Sequence, residues 1–199
     1  MPWHKLLLLL LLPLLYACSS TSILSQTGYH QRIWAIGHPC KVSLAMKTTR
    51  LVLADLSTYK YHQALDTFET GGLYDAFRHL YWSAKLTAAI GSGKASRLLE
   101  AHEKDNHLFF CRGKNEHGSR PDSMQCVMDR LNNECGIEIG KTSSPDSLVF
   151  RSLEAIKLGK AYMLNLNGKG QYLDCNGNLL DMKLYKQKWY IPVCLKKTH

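Results

Sequence analysis

Three short segments of this 199-residue chain carry side chains suited to acid–base or metal chemistry. The first lies in a predicted helix over 72–90. Four of its residues fall at i, i+3, i+4 and i+7 and so share one face: Asp75, Arg78, His79 and Trp82. Apolar residues line the opposite face and continue onto this one, so we expect both faces to be covered. Charged side chains in such a seam must pair with one another or bind a ligand.

A second predicted helix, 94–107, carries His102 and Glu103. The Gly-Ser-Gly sequence at 91–93 separates it from the first helix and predicts a helical hairpin. If the two helices are antiparallel, His102 lies within a side chain's reach of His79.

A third predicted helix begins near residue 123 and is expected to stop at Gly136. Asp129 and Asn133 share one of its faces, with Asn132 beside them. Asp and Asn are poor helix formers. We therefore expect ligand binding or hydrogen bonds to a neighbouring helix to require them.

Imidazole and carboxylate groups are ligands that suit zinc and similar divalent ions. The candidate metal ligands are His79, His102 and Asp129, and a bound water would be the nucleophile. Without a metal, one of the two histidines is a candidate general base, and Arg78 would stabilise an anionic intermediate. The candidate catalytic residues are therefore His79, His102, Asp129, Arg78 and Glu103. The candidate binding residues are Asp75, Trp82, Asn132 and Asn133.

The rest of the pattern predicts a mainly α single domain, based on the helical hairpin, with a small C-terminal antiparallel β element. Pro39 is expected to open a helix, and Ser144-Pro145 to open another that ends at Gly159. Beyond this point the sequence predicts short strands over 161–166, 171–175, 178–185 and 189–194, with Asn-Gly turns between them. We expect a helical domain over 31–160 and a β appendage over 161–199.

The N-terminus resembles an export signal. A lysine precedes an apolar run over 6–15 that is too short to span a membrane. The run ends in Leu-Tyr-Ala before Cys18, which resembles the lipobox of bacterial lipoproteins. The resemblance implies that residues 1–17 are removed, that Cys18 is acylated, and that residues 18–30 form a tether. Two serines follow Cys18, which implies sorting to the outer membrane, facing the periplasm or the cell surface.

Six further cysteines remain, and an even number in an exported chain predicts disulfides. They are Cys40, Cys111, Cys126, Cys135, Cys175 and Cys194. Sequence proximity favours Cys111–Cys126 and Cys175–Cys194, which leaves Cys40–Cys135. Other pairings stay open.

The chain carries a formal charge of +9. Part of the excess is local, since five lysines crowd the C-terminal segment: Lys183, Lys186, Lys188, Lys196 and Lys197. A basic surface favours anionic partners, such as lipopolysaccharide or phospholipid headgroups. A merely solvated face explains the lysines equally well, and no specific nucleic-acid motif accompanies them.

Taken together, the three segments resemble an uncharacterised bacterial domain family. They are Asp-Ala-Phe-Arg-His-Leu-Tyr-Trp at 75–82, Ala-His-Glu at 101–103, and Met-Asp with Asn-Asn and Gly at 128–136. The family's pattern is D/N-A-F-R-H-x-x-W, then A-H-E, then M-D-x-x-N-N-x-x-G. The resemblance covers about residues 34–180. It implies an exported protein with a role in the envelope, and it brings no known reaction.

Two functions are compatible with these observations. The first is a membrane-anchored hydrolase, metal-dependent or histidine-based, that acts on phospholipid, lipopolysaccharide or peptidoglycan. The alternative is a non-catalytic binding or scaffolding lipoprotein in which the polar residues form a structural network. A catalytic site predicts a concave pocket beside the candidate metal ligands. A network predicts that Arg78 pairs with Asp75 or Glu103, that both histidine rings are hydrogen-bonded, and that no cavity remains.

Overall fold

The computed structural model describes residues 27–114 and 120–198. The predicted signal peptide, Cys18 and most of the predicted tether lie outside the described residues. No helix in the described part of the chain is long and apolar enough to cross a membrane.

The described residues form six α-helices and one two-stranded antiparallel sheet, which confirms a mainly helical fold with a small C-terminal β element. The helices are α1 (Tyr29–Gly37), α2 (Pro39–Tyr59), α3 (Leu73–Ile90), α4 (Ser92–Cys111), α5 (Ser123–Thr142) and α6 (Leu148–Lys157), with a 3-10 turn at Pro145–Ser147 before α6. The strands are β1 (Tyr162–Leu164) and β2 (Leu195–Lys197).

Helix α3 is the centre of the fold, and it packs against α2, α4, α5 and α6. Its side chains Phe77, Leu80 and Ala84 are fully buried in the main apolar cluster. The helix ends at Gly91, whose φ of +85° suits glycine and turns the chain directly into α4. The predicted helical hairpin is therefore present. Because α3 is covered on nearly every side, its polar residues are buried with its apolar ones.

Helices α3 and α5 approach each other unusually closely. A Cβ atom on Gly136 would lie 2.3 Å from the carbonyl oxygen of Leu80, and one on Gly140 would lie 2.5 Å from that of Ala84. The prediction that Gly136 ends its helix is wrong, since α5 continues to Thr142. Gly136 is needed for this close contact between helices and does not act as a helix stop.

Helix α1 is held against α4 at its first turn. The buried carboxylate of Asp105 accepts hydrogen bonds from the backbone N–H of His30 at 2.9 Å and of Gln31 at 3.0 Å. Further along, the Trp34 indole donates to the carbonyl oxygen of Lys94 at 3.1 Å. A side chain from α4 therefore caps α1, because Gly28 at its N-cap has no side chain.

The β appendage contains fewer strands than the sequence predicts. Strands β1 and β2 pair with each other, and Tyr162 lies opposite Lys197. In the segment of chain that connects the two strands, only isolated bridges form. The predictions of regular strands over 171–175, 178–185 and 189–194 are wrong. Asp174 Oδ1 accepts from the backbone N–H of Asn176 and Asn178 and holds the chain in a tight turn at a predicted Asn-Gly position.

One of the three predicted disulfides, Cys175–Cys194, is formed. The predicted pairs Cys111–Cys126 and Cys40–Cys135 are not formed, and none of these four cysteines belongs to a disulfide. Cys111 is exposed at the end of α4, whereas Cys126 is buried on α5, so their proximity in sequence does not bring the sulfur atoms together.

Candidate functional site

A cluster of buried polar side chains lies where α3, α4 and α5 meet. Helix α3 contributes Asp75 and His79, and α5 contributes Asp129, all at most 5% exposed. The sequence predicts this face of α3 to be a partly buried seam, and the close contact with α5 is what covers it.

Three metal-binding groups converge in this cluster. The Nε2 atom of His79 lies 3.5 Å from Oδ1 of Asp75 and 3.3 Å from Oδ1 of Asp129. One ligand atom from each residue lies within 4.8 Å of the other two. The second oxygen of Asp75 accepts from the backbone N–H of Gly71 at 2.6 Å, which fixes the carboxylate. One imidazole and two carboxylates form a donor set that suits a divalent cation.

The other side of the His79 ring is oriented from α4. Oε1 of Glu103 accepts from the Asn133 amide nitrogen at 3.4 Å, so the Asn133 oxygen faces Nδ1 of His79, also at 3.4 Å. An amide oxygen only accepts, so Nδ1 carries the ring proton. In the neutral ring, Nε2 then directs its lone pair at two carboxylate oxygens. A positive charge beside Nε2 offsets this arrangement. The Arg78 guanidinium lies 3.5 Å away, and a proton or a metal cation at Nε2 would add to it.

Arg78 lies at the solvent edge of the cluster. It forms an ion pair with Asp75, donates to the carbonyl oxygen of Glu69 at 3.1 Å, and keeps 12% of its side chain exposed. Its Nη2 atom also lies 3.5 Å from Nε2 of His79. The Arg78 guanidinium therefore lies between the buried carboxylate of Asp75 and the solvent.

The structure separates His102 from the other predicted metal ligands. Its ring packs edge-on against Trp82 at 5.2 Å, and its Nδ1 lies 3.4 Å from the Gln31 side-chain nitrogen on α1. Trp82 also packs edge-on against His79, with ring centroids 6.5 Å apart. Among the described residues, the converging ligands are Asp75, His79 and Asp129, so Asp75 takes the place of His102 in the predicted set of ligands.

Asn132 also lies apart from the converging ligands. Its amide forms two hydrogen bonds of 2.9 Å with the backbone N–H and C=O of Tyr162. This side chain therefore joins α5 to β1 and positions the β appendage.

Asn106 also belongs to the cluster, although it is not among the residues predicted from sequence. It is buried on α4 one turn after Glu103 and donates to the second carboxylate oxygen of Glu103 at 3.3 Å. The available signal is the spacing of three residues, which puts both side chains on one helix face. Two polar residues on the same side of a helix with an apolar stripe indicate a buried pair.

A second buried acid caps α5. Asp122 accepts from the backbone N–H of Met124 at 2.8 Å and of Gln125 at 3.0 Å, and from the hydroxyl of Tyr172 at 3.0 Å. Burial raises the pKa of Asp122, and these hydrogen bonds to its carboxylate oppose the rise. Burial also raises the pKa of Tyr172 above its ordinary value, so Tyr172 stays protonated and serves as a donor.

Two surface grooves lie away from the cluster. One is lined in part by Gln63, Leu73 and Lys157, and the other in part by Ile139 and Glu154. Neither groove includes a candidate catalytic residue.

The fold and the cluster together define a helical domain with a buried polar centre shared by three helices. Residues 32–160 match a family described as a domain of unknown function, DUF6973. The match covers more than half of the chain, so the chain belongs to this family, and the expected resemblance to an uncharacterised family is confirmed. All three sequence motifs lie inside the matched range, and the β appendage lies outside it. No curated protein and no solved structure matches the chain.

Proposed function

We propose that this protein is an exported, lipid-anchored hydrolase of a cell-envelope component, with a divalent-metal centre at Asp75, His79 and Asp129. The observation that supports the metal centre is the convergence of these three ligand atoms within 4.8 Å. Asp75 replaces His102 in the ligand set expected from sequence, because His102 lies beyond Trp82.

The charge balance of the cluster supports a cation. The His79 ring, oriented through Asn133, places Nε2 beside the oxygens of Asp75 and Asp129 and beside the Arg78 guanidinium, so one cation accompanies two carboxylates there. A divalent ion at this point would be bound by all three groups. The Glu103–Asn133–His79 connection is of the kind that orients a metal-binding histidine through its second nitrogen.

The substrate side of the proposal rests on Arg78. When bound, a divalent ion supplies an activated water and a Lewis acid. Arg78 is the charged group at the exposed edge of the cluster, so it is placed to bind an anionic group of the substrate and to orient it. Phospholipid and lipopolysaccharide carry such groups, and peptidoglycan carries carboxylates.

The location of the protein is proposed from its N-terminus. The lipobox-like sequence before Cys18 supports acylation of that cysteine and anchoring in the outer membrane. The exposed lysines of the β appendage, such as Lys183, Lys186 and Lys188, add a surface that suits anionic envelope molecules.

The test measures metal content and hydrolysis on the same samples. The full chain is purified in detergent without a chelator and compared with Asp129→Asn and with the control Glu134→Gln, an exposed acid on the same helix. We expect close to one metal ion per chain in the wild type and in the control, and a large loss in Asp129→Asn. Phospholipid, lipopolysaccharide and peptidoglycan are then supplied with each sample. Metal in the wild type that Asp129→Asn retains would contradict the proposed ligand set.

A second candidate function is supported by specific observations. Arg78 forms an ion pair with Asp75, and both histidine rings have hydrogen-bond partners. These are the features expected of a structural network in a non-catalytic envelope lipoprotein. In that case His79 carries a second proton in place of a metal ion. The wild type would then contain no metal, and Asp129→Asn would melt at a markedly lower temperature, since an unsatisfied buried partner costs about 1–3 kcal/mol.

A further inference from the structure

Helix α1 presents an apolar stripe to solvent. Tyr29, Ile33 and Ile36 fall at i, i+4 and i+7, and they are 58%, 53% and 77% exposed. The opposite side of the helix is held by Trp34 and by the Asp105 cap, so α1 cannot rotate to bury the stripe. Three large apolar side chains exposed together on a fixed helix indicate a surface that contacts something apolar.

The charged residues of α1 and of most of α2 have a single sign. The first acidic residue of the whole chain is Asp55, so α1 and nearly all of α2 carry only basic charges. Arg32 on α1 is exposed, and so are Lys47 and Arg50 on α2. On α2, Leu44 and Leu51 are also exposed, at 39% and 52%. Apolar residues mixed with cations and no acids are typical of a helix that lies in the interface of an anionic bilayer.

The position of α1 in the chain also supports contact with a lipid bilayer. The chain between Cys18 and Tyr29 spans at most roughly 40 Å when fully extended. An acylated Cys18 would therefore keep α1 close to the lipid headgroups, so little entropy is lost when the helix makes contact.

We propose that the apolar stripe of α1, Tyr29, Ile33 and Ile36, lies on an anionic lipid bilayer and holds the protein in one orientation on the membrane. This inference rests on the lipid anchor of the proposed function and does not depend on hydrolysis. The acyl anchor would hold the chain at the membrane, and the stripe would fix its orientation there.

The experiment uses the full chain, purified as the lipoprotein and reconstituted into vesicles of phosphatidylethanolamine and phosphatidylglycerol. A benzophenone amino acid replaces Ile36, or replaces Phe150 on α6 as the matched control, because Phe150 is 61% exposed and also has a cationic neighbour. After illumination, mass spectrometry measures lipid adducts at the probe and acylation at Cys18. We expect a much larger yield of lipid adducts at position 36 than at position 150.

A second comparison tests the charge. With the probe at position 36, Arg32→Glu should lower the adduct yield at least about fivefold, the effect expected for one cation at an anionic surface. Lys157→Glu, an exposed cation on α6, should leave the yield unchanged. Circular dichroism melting confirms that each variant is folded.

The outcomes separate the two proposals. Acylated Cys18 with equal yields at both probes, or with protein adducts at position 36, would overturn the membrane contact and keep the anchor. Unmodified Cys18 with lipid adducts favouring position 36 would overturn the anchor and support the membrane contact.

Discussion

Replacing Gly136 with alanine tests the close contact between α3 and α5. The added Cβ would lie 2.3 Å from the carbonyl oxygen of Leu80 and 2.0 Å from the Ser83 hydroxyl. The serine can rotate away, but the backbone oxygen cannot, so the helices must separate by roughly 1 Å to restore an ordinary contact. Such overpacking costs typically about 1–3 kcal/mol. The helix propensity of alanine returns about 1 kcal/mol. Because the clash is with backbone, we expect the upper end of the cost and a net loss of about 2 kcal/mol.

The assay is thermal unfolding followed by circular dichroism at 222 nm. For a chain of this length, a loss of about 2 kcal/mol lowers Tm by roughly 4–8 °C. Gly93→Ala is the matched control, because it is also a glycine within a helix and its added Cβ would meet nothing within 4 Å. That control should raise the stability by up to about 1 kcal/mol. Gly136→Ala should also weaken binding at the proposed metal centre, since it moves Asp129 on α5 away from His79 on α3.

A Gly136→Ala variant that melts at or above the wild-type temperature, while Gly93→Ala behaves as expected, would contradict the close contact between α3 and α5. In that case α3 and α5 are farther apart than the structure places them. The 3.3 Å distance between His79 and Asp129 would then have to be longer too.

Three further predictions follow from other parts of the fold. Replacing Cys175 and Cys194 with serine should lower the free energy of unfolding by about 3 kcal/mol in urea titrations, because the disulfide joins residues 19 apart in sequence. Burial raises the pKa of the Cys135 thiol, so iodoacetamide should alkylate the exposed Cys40 first, and equal rates by mass spectrometry would contradict this. Burial raises the pKa of Asp122 above its ordinary 3.8, so the folded chain binds this proton more tightly than the unfolded chain. Protonated Asp122 therefore stabilises the fold at low pH, and this contribution is lost as the pH rises from 3.8 through the pKa of Asp122 in the folded chain. In urea titrations over that range, Asp122→Asn should lose less stability than the wild type.

Much of the helical fold could be predicted from local pattern. The 3.6-residue periodicity of α3 and the glycine at position 91 define the hairpin without knowledge of its neighbours. Gly136 could not be assigned in this way. A glycine near the end of a periodic stretch suggests a helix stop, and only the position of α3 shows that it permits a close approach. The β appendage was overpredicted because its strand-like segments form only isolated bridges, Leu166–Tyr172 and Leu173–Leu179, on either side of the predicted turns.

The candidate site was predicted only in part, because local pattern shows which residues share a helix face and does not show how the helices pack. Helix periodicity places Asp75 and His79 together, and Asp129 with Asn133, since each pair shares one face of one helix. The relative rotation of α3 and α4 depends on packing. Counting residues from the turn predicts how far along the hairpin His102 lies. It does not predict that the ring of Trp82 packs against His102.

The Asp105 cap has a consequence for the order in which the molecule assembles. Helix α1 has nine residues, which is too short for stability on its own, and the acid that satisfies its first turn lies 75 residues away from His30. Helix α1 therefore can form only after α4 is in place, although it is synthesised earlier. By the same logic it should open before the core does, so its amides should exchange with deuterium well before those of α3. Local fraying near the N-terminus can then occur while the polar centre between α3 and α5 stays folded.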